Sequence, residues 1–196
     1  MNFNFTFLGQ SILRYETPLD IFHAINQTYE QKFQQLNSAN KQLVGKIKDE
    51  HSLFYDGEDE SKMKRHNELP KNVLDWFMQM FHHYLEFNHI RQYQTHLNSI
   101  WVNEMKAHEY NPVHVHQGNL FTGLSSVMIL KLPNTYGVEY SASEAPQNGK
   151  LQILGAANGQ FAKVDYEPPM KLRDFRSEEH TSESSHLVLS RMPSSA

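Results

Sequence analysis

Behind Pro18, the apolar positions Leu19, Ile21, Phe22, Ile25, Tyr29 and Phe33 recur at spacings of three and four, which predicts an amphipathic helix ending near Asn37. Pro70 opens a second helix, in which Val73, Leu74, Phe77, Phe81, Tyr84 and Leu85 keep the same spacing and Trp76 and Met80 widen the apolar face. This helix is expected to be long and well buried. The first eight residues instead alternate apolar and polar, as a strand does. Residues 49–67 hold an acidic run at 56–60 and a basic one at 62–65 without an apolar period, which predicts a surface loop. From Ser99 the pattern changes to short β-rich runs at 100–105, 123–132, 137–140, 151–154 and 161–164. Pro133-Asn134, Asn148-Gly149 and Asn158-Gly159 fall between them, and Asn-Gly pairs favour the positive φ angles of tight hairpins. Helices followed by, and packed on, an antiparallel β core are the expected architecture.

A chain of 196 residues with 39% hydrophobic positions supports one core, at most two small ones. Its formal charge of −4 and lack of a basic block argue against a protein that holds nucleic acid through phosphate contacts. Cysteine is absent, so disulfides, thiolate nucleophiles and Cys-ligated metals are excluded. The longest apolar run, Val127 to Leu130, is far short of the ~20 residues of a membrane span. The amino terminus carries no basic, signal-like region. A soluble, cytoplasmic protein is expected.

Candidate chemistry concentrates after residue 100. His114 and His116 stand two apart in an extended stretch, so both imidazoles can face one centre while Val113 and Val115 pack on the other side. Neutral imidazole suits iron, zinc, copper or nickel, and a non-heme iron centre takes two His and one carboxylate. The competing reading is a pair of polar residues at a strand end, satisfied by backbone carbonyls. Pro112 before and Gly118 after the pair favour a rigidly held site at a barrel mouth. His82, His83 and His89 read as helix surface and packing, and His108 with Glu109 as an exposed loop pair. Ser125-Ser126 lacks the turn of a nucleophilic serine, and no phosphate-binding glycine loop occurs.

Three stretches together resemble a known group: Trp101-Val102-Asn103; Tyr110-Asn111-Pro112-Val113-His114-Val115-His116-Gln117-Gly118; and Phe121-Thr122-Gly123 running to Pro133. They are similar to 2-oxoglutarate/Fe(II)-dependent oxygenases of the marine phage and bacterial type. Residues 43–51 and Trp76-Phe77 look like the same group, so the likeness extends over most of 1–175. The resemblance implies an α+β fold in which N-terminal helices pack on an incomplete double-stranded β-helix, a jelly-roll or cupin-like core. It further implies Fe(II) held by His114, with His116 standing where the family carries a carboxylate, 2-oxoglutarate as cosubstrate and dioxygen as co-reactant. Glu109 and Glu139 are candidate carboxylates, and Asn103 is a possible contact to the cosubstrate. Neither the prime substrate nor an oligomeric state follows from the residues.

The same resemblance calls for a distal His ligand and an Arg for the far carboxylate of 2-oxoglutarate beyond residue 175, and neither is matched. Instead, Arg176 to Glu183 looks like the conceptual translation of a sequencing adapter, and 7 of the 21 residues from Arg176 are Ser. The expected organisation is a single oxygenase-like domain at 1–175, with helical support at 1–98 and the β core at 99–175, followed by a disordered, non-native tail at 176–196. The parent is expected to be a dioxygenase and this chain an inactive piece of one. Two rivals stand beside it. A cupin-type metal protein wants a Glu four or five residues after the second His, where Leu120 and Phe121 stand. A non-enzymatic, virion-associated β-sandwich would use His114 and His116 only to cap a strand.

Overall fold

The computed structural model describes residues 3–7, 11–39, 45–57, 63–112, 123–133, 151, 153–157, 160–166, 171–180 and 185–191. Strands β1 (Phe3–Phe7) and β2 (Ser11–Glu16) lead into helix α1 (Leu19–Lys32), which tightens into a 3₁₀ turn at Phe33–Gln35. Strands β3 (Asn37–Ser38), β4 (Asp49–Tyr55) and β5 (His66–Asn67) follow, then helix α2 (Lys71–Phe87). The remaining strands are β6 (Leu97–Glu104), β7 (Gly123–Lys131), β8 (Ile153–Ala157), β9 (Gln160–Tyr166), β10 (Asp174–His180) and β11 (Ser185–Arg191).

Both helices begin directly after a proline whose ψ is extended, since proline pre-sets φ for the first turn and lacks the N–H that would go unbonded there. The buried side chains of α1 are Ile21, Ile25 and Tyr29. Those of α2 are Val73, Phe77, Met80, Phe81, Tyr84 and Leu85. Helix α2 stops where His89 takes a left-handed φ of 60°. There the N–H groups of Ile90 and His89 close back on Leu85 O and Glu86 O, a C-terminal motif that satisfies otherwise orphaned carbonyls. His89 thus ends a helix.

The large sheet runs β1-β2-β10-β7-β11-β6-β4-β3, with β5 beside β4, and β8 and β9 form a separate antiparallel pair. Every pairing is antiparallel except the two made by β11, which lies parallel to both β6 and β7. The fold is therefore α+β, and among the described residues neither sheet closes into a barrel. Both helices pack on one face of the large sheet. Leu13, Tyr15, Leu53, Ile100, Val102, Leu124, Met128, Leu130 and Phe175 meet the buried residues of α1 and α2 there in one core. Phe175 lies at the centre of this core, its ring 5.1 Å from Trp76, 5.6 Å from Phe77, 6.0 Å from Tyr15 and 6.2 Å from Phe81.

Strands β1 to β5 lie within the first 98 residues beside the two helices, and β6 starts at Leu97. The supposed loop at 49–67 begins with β4, whose Glu50, Ser52, Leu53 and Tyr55 are buried. Its charged neighbours at 56–65 hid a strand that needs only seven residues. Strand β10 runs on through His180 between β2 and β7, and β11 (Ser185–Arg191) lies between β6 and β7. Phe175 anchors β10 in the core. The strand expected at 137–140 lies outside the described residues. On either side of Asn158-Gly159, which lie outside the described residues, β8 and β9 pair antiparallel with Ala157 opposite Gln160.

Candidate functional site

Strand alternation divides the large sheet into two chemically distinct faces. Ile100 and Val102 face the helices, so Ser99, Trp101 and Asn103 of β6 occupy the opposite face. Register carries that face across β4, where Glu50 stands directly opposite Asn103, Ser52 opposite Trp101 and Tyr55 opposite Ser99. On the other flank the same face holds Ser125, Val127 and Ile129 of β7, then Asp174 and Arg176 of β10, then Ile12 and Arg14 of β2. Hence the side away from the helices is buried and rich in polar groups.

Its most buried polar members form two centres. At one, Asp174 is gripped from both sides, by Arg14 Nη2 at 2.8 Å and by Arg176 Nη2 at 2.9 Å. Arg176 and Asp174 are almost wholly buried, and burying charges requires this kind of pairing. At the other, Glu50 and Asn103 are 4% and 3% exposed. Glu50 Oε1 and Asn103 Oδ1 nevertheless have no hydrogen-bond partner. Residues facing each other across an antiparallel pair have Cβ atoms about 5 Å apart, so these two acceptors lie side by side. Burial, and secondly the nearby carboxylate of Glu109, push the Glu50 pKa up to about 7.

Glu109 itself is held in place. Its Oε1 accepts the Lys48 backbone N–H at 3.1 Å and its Oε2 accepts the Lys106 N–H at 2.8 Å. The turn around it includes His108 at a left-handed φ of 66° and joins the start of β4 through a bridge between Tyr110 and Lys46. Gly45 fits there with φ 141° because an added Cβ would come within 3.1 Å of Tyr110 O. On the helix side of β4, His51 is ringed by Tyr29 and Phe33, with centroids 6.0 and 5.4 Å away. Neither His51 nitrogen has a partner, and burial lowers its pKa against the opposing pull of Asp49 and Glu104.

Of the residues singled out from sequence, Asn103 lies buried on the polar face. His114 and His116, and with them Glu139, lie outside the described residues. Glu109 is described, but its oxygens serve backbone N–H groups. Ser125 and Ser126 are buried within β7, on opposite faces. His82 and His83 are engaged in packing and hydrogen bonds, His82 Nε2 to Thr95 Oγ1 at 2.9 Å and His83 Nδ1 to the Tyr15 hydroxyl at 2.8 Å. Among the described residues no three His, Asp or Glu side chains come together as a metal-binding group, and no helix is long and apolar enough to cross a membrane.

Glu50 is the residue that sequence reasoning missed. Its signal is the alternation Glu50, Ser52 against His51, Leu53, submerged in a stretch dominated by charge. Comparison with family models, with curated proteins and with solved structures yields no match to this chain.

Proposed function

We propose that the chain is built on the double-stranded β-helix plan of 2-oxoglutarate/Fe(II)-dependent oxygenases, with the polar face of the large sheet as one wall of the cup. The observation that carries this reading is the placement of β6 and β7: they run in the same direction, are not adjacent, and leave room for one strand between them. In jelly-roll winding, successive strands alternate between two facing sheets, and a late strand inserts between two earlier ones of like direction. Here β6, β7 and β10 share the large sheet while β8 and β9 pair apart from it. All helical support lies on one side, and Asn103 stands buried on the other.

The described chain leaves β6 at Glu104 and re-enters the sheet at Gly123, which stands level with the beginning of β6. His114 and His116 belong to the sequence between these two ends, and we propose them as the metal ligands of this chain. Fit to the implied groups is only partial. The Asn103 side-chain amide can donate to a carboxylate such as that of 2-oxoglutarate, but the described residues assemble no donor set for iron, so no reaction step is drawn through it.

The same reading makes these 196 residues an incompetent oxygenase. In the jelly-roll plan the strand between β6 and β7 runs antiparallel to both, whereas β11 runs parallel to both. A buried Ser177 hydroxyl without a partner also stands opposite the equally unpartnered Ser126 hydroxyl, a poor match on the face that packs against the helices.

Calorimetric titration of the purified chain with ferrous iron, together with succinate release in the presence of 2-oxoglutarate, tests both parts. The expected result is weak metal binding that the exchange of His114 and His116 for Ala abolishes, with no succinate above background. Metal uptake indifferent to the double exchange overturns the oxygenase plan. Sustained succinate release overturns the incompetence of this chain.

A further inference from the structure

Buried polar atoms in folded proteins are almost always hydrogen-bonded, because leaving one dry and unpaired costs on the order of 1–3 kcal/mol. Two such atoms at directly opposed positions of neighbouring strands are therefore unusual. With Glu50 ionised, its Oε1 and Asn103 Oδ1 are both acceptors, both residues are more than nine-tenths buried, and both atoms are without a partner. The position across from Trp101 is Ser52, whose hydroxyl hydrogen-bonds its own strand at Phe54 O, 3.4 Å away, and offers them no proton.

We propose that this part of the sheet face is a binding site for an organic cation, an alkylammonium or guanidinium group, which donates to Glu50 and Asn103 and lies against the Trp101 indole.

The charge balance favours a cation over a neutral donor. Burial and the Glu109 carboxylate both disfavour the charge on Glu50, and no cation among the described residues offsets them. Lys106, three residues beyond Asn103, directs its ammonium to Asp49. Asp49 adjoins Glu50 on the strand and so points to the other face. Trp101 is two residues from Asn103 on the same strand, hence on the same side, and is 6% exposed in a small apolar cluster with Ala39, Tyr55 and Met63. An aromatic face beside a carboxylate is the combination that recognises ammonium and guanidinium groups, through cation–π attraction and charge-assisted hydrogen bonds. The inference stands on the sheet face alone and needs neither iron nor turnover, so its failure leaves the oxygenase reading untouched.

The test uses the full chain carrying W76F, which leaves Trp101 as the sole tryptophan while keeping an aromatic ring beside Phe77 and Phe175. Trp101 fluorescence is titrated with butylammonium and guanidinium chloride, each against sodium chloride at equal ionic strength and against butanol as the neutral match. Saturable quenching by at least one of the two cations is expected, with no saturable response to butanol. E50Q, which preserves size and removes the charge, is expected to weaken binding roughly tenfold or more, and N103A to weaken it several-fold. Circular dichroism verifies that each variant is folded; should N103A fail to fold, the E50Q comparison decides. Absence of saturation with both cations, an equal response to butanol, or an affinity that E50Q leaves unchanged overturns the site and leaves the two oxygens as a structural pair.

Discussion

Adjacent residues of β4 impose opposite pH responses on the fold. Glu50 holds its proton more tightly when folded, with a pKa of about 7 against an ordinary value of 4.5. Between those values the folded state binds the extra proton, so the stabilisation is complete below about pH 4.5 and is lost as pH rises through 7. His51 is pushed the other way by burial. Its neutral form is the folded one, so its contribution is present above about pH 6.5 and lost as pH falls below. E50Q isolates the first effect. The variant is expected to melt higher than the wild type at pH 8, by an amount on the order of 2–3 kcal/mol, and to match it near pH 5. Thermal melts followed by circular dichroism at the two pH values measure this, and equal melting at pH 8 would contradict the burial of Glu50. Neither residue stood out in the sequence, because Asp49-Glu50-His51 looks like the edge of a charged loop until the partner strand β6 is known.

At the scale of elements, legibility followed the period. Both helices were readable within a few residues because their apolar spacing is long and each opens on a proline. The strands at 100–105 and 123–132 were readable for a similar reason, with β-rich runs bounded by turn residues. Strand β4 was not, since a seven-residue strand buried on both faces leaves a short pattern that neighbouring charges obscure. Nor was the role of Phe175, an isolated aromatic in sequence that becomes the meeting point of β2, β10 and α2. F175A removes the ring around which Tyr15, Trp76, Phe77 and Phe81 pack, and is expected to cost about 3–5 kcal/mol. Chemical denaturation gives the value, and a loss below 1 kcal/mol would mean that β10 is not seated against the helices.

For the whole molecule, the sequence supplied a candidate face but not its shape. Alternation placed Trp101 and Asn103 together, whereas the pairing of Asn103 with Glu50, some 53 positions apart in the chain, depends on topology that no local pattern encodes. The place of β11 was equally hidden, because a Ser-rich stretch carries little information about pairing. Its central location makes a sharp prediction. Leu189 is in register with both Val102 and Met128, so L189P removes a ladder donor in mid-sheet and cannot be accommodated as it would be on an edge. A melting temperature lowered by several degrees is expected, and an unchanged one would detach β11 from the folded structure.

That location also dictates when the fold can form. Tyr15 pairs with Phe175, and the gap between β6 and β7 is filled by residues 185–191, so the middle of the sheet waits until β11 has been synthesised. A nascent chain can shape its helices early, but it must hold β6 and β7 apart, with their backbone groups open to water and to other chains, until β11 emerges. Contacts this distant in sequence make slow assembly the rule, and the interval before the final strand arrives is when such a chain is most in need of a chaperone.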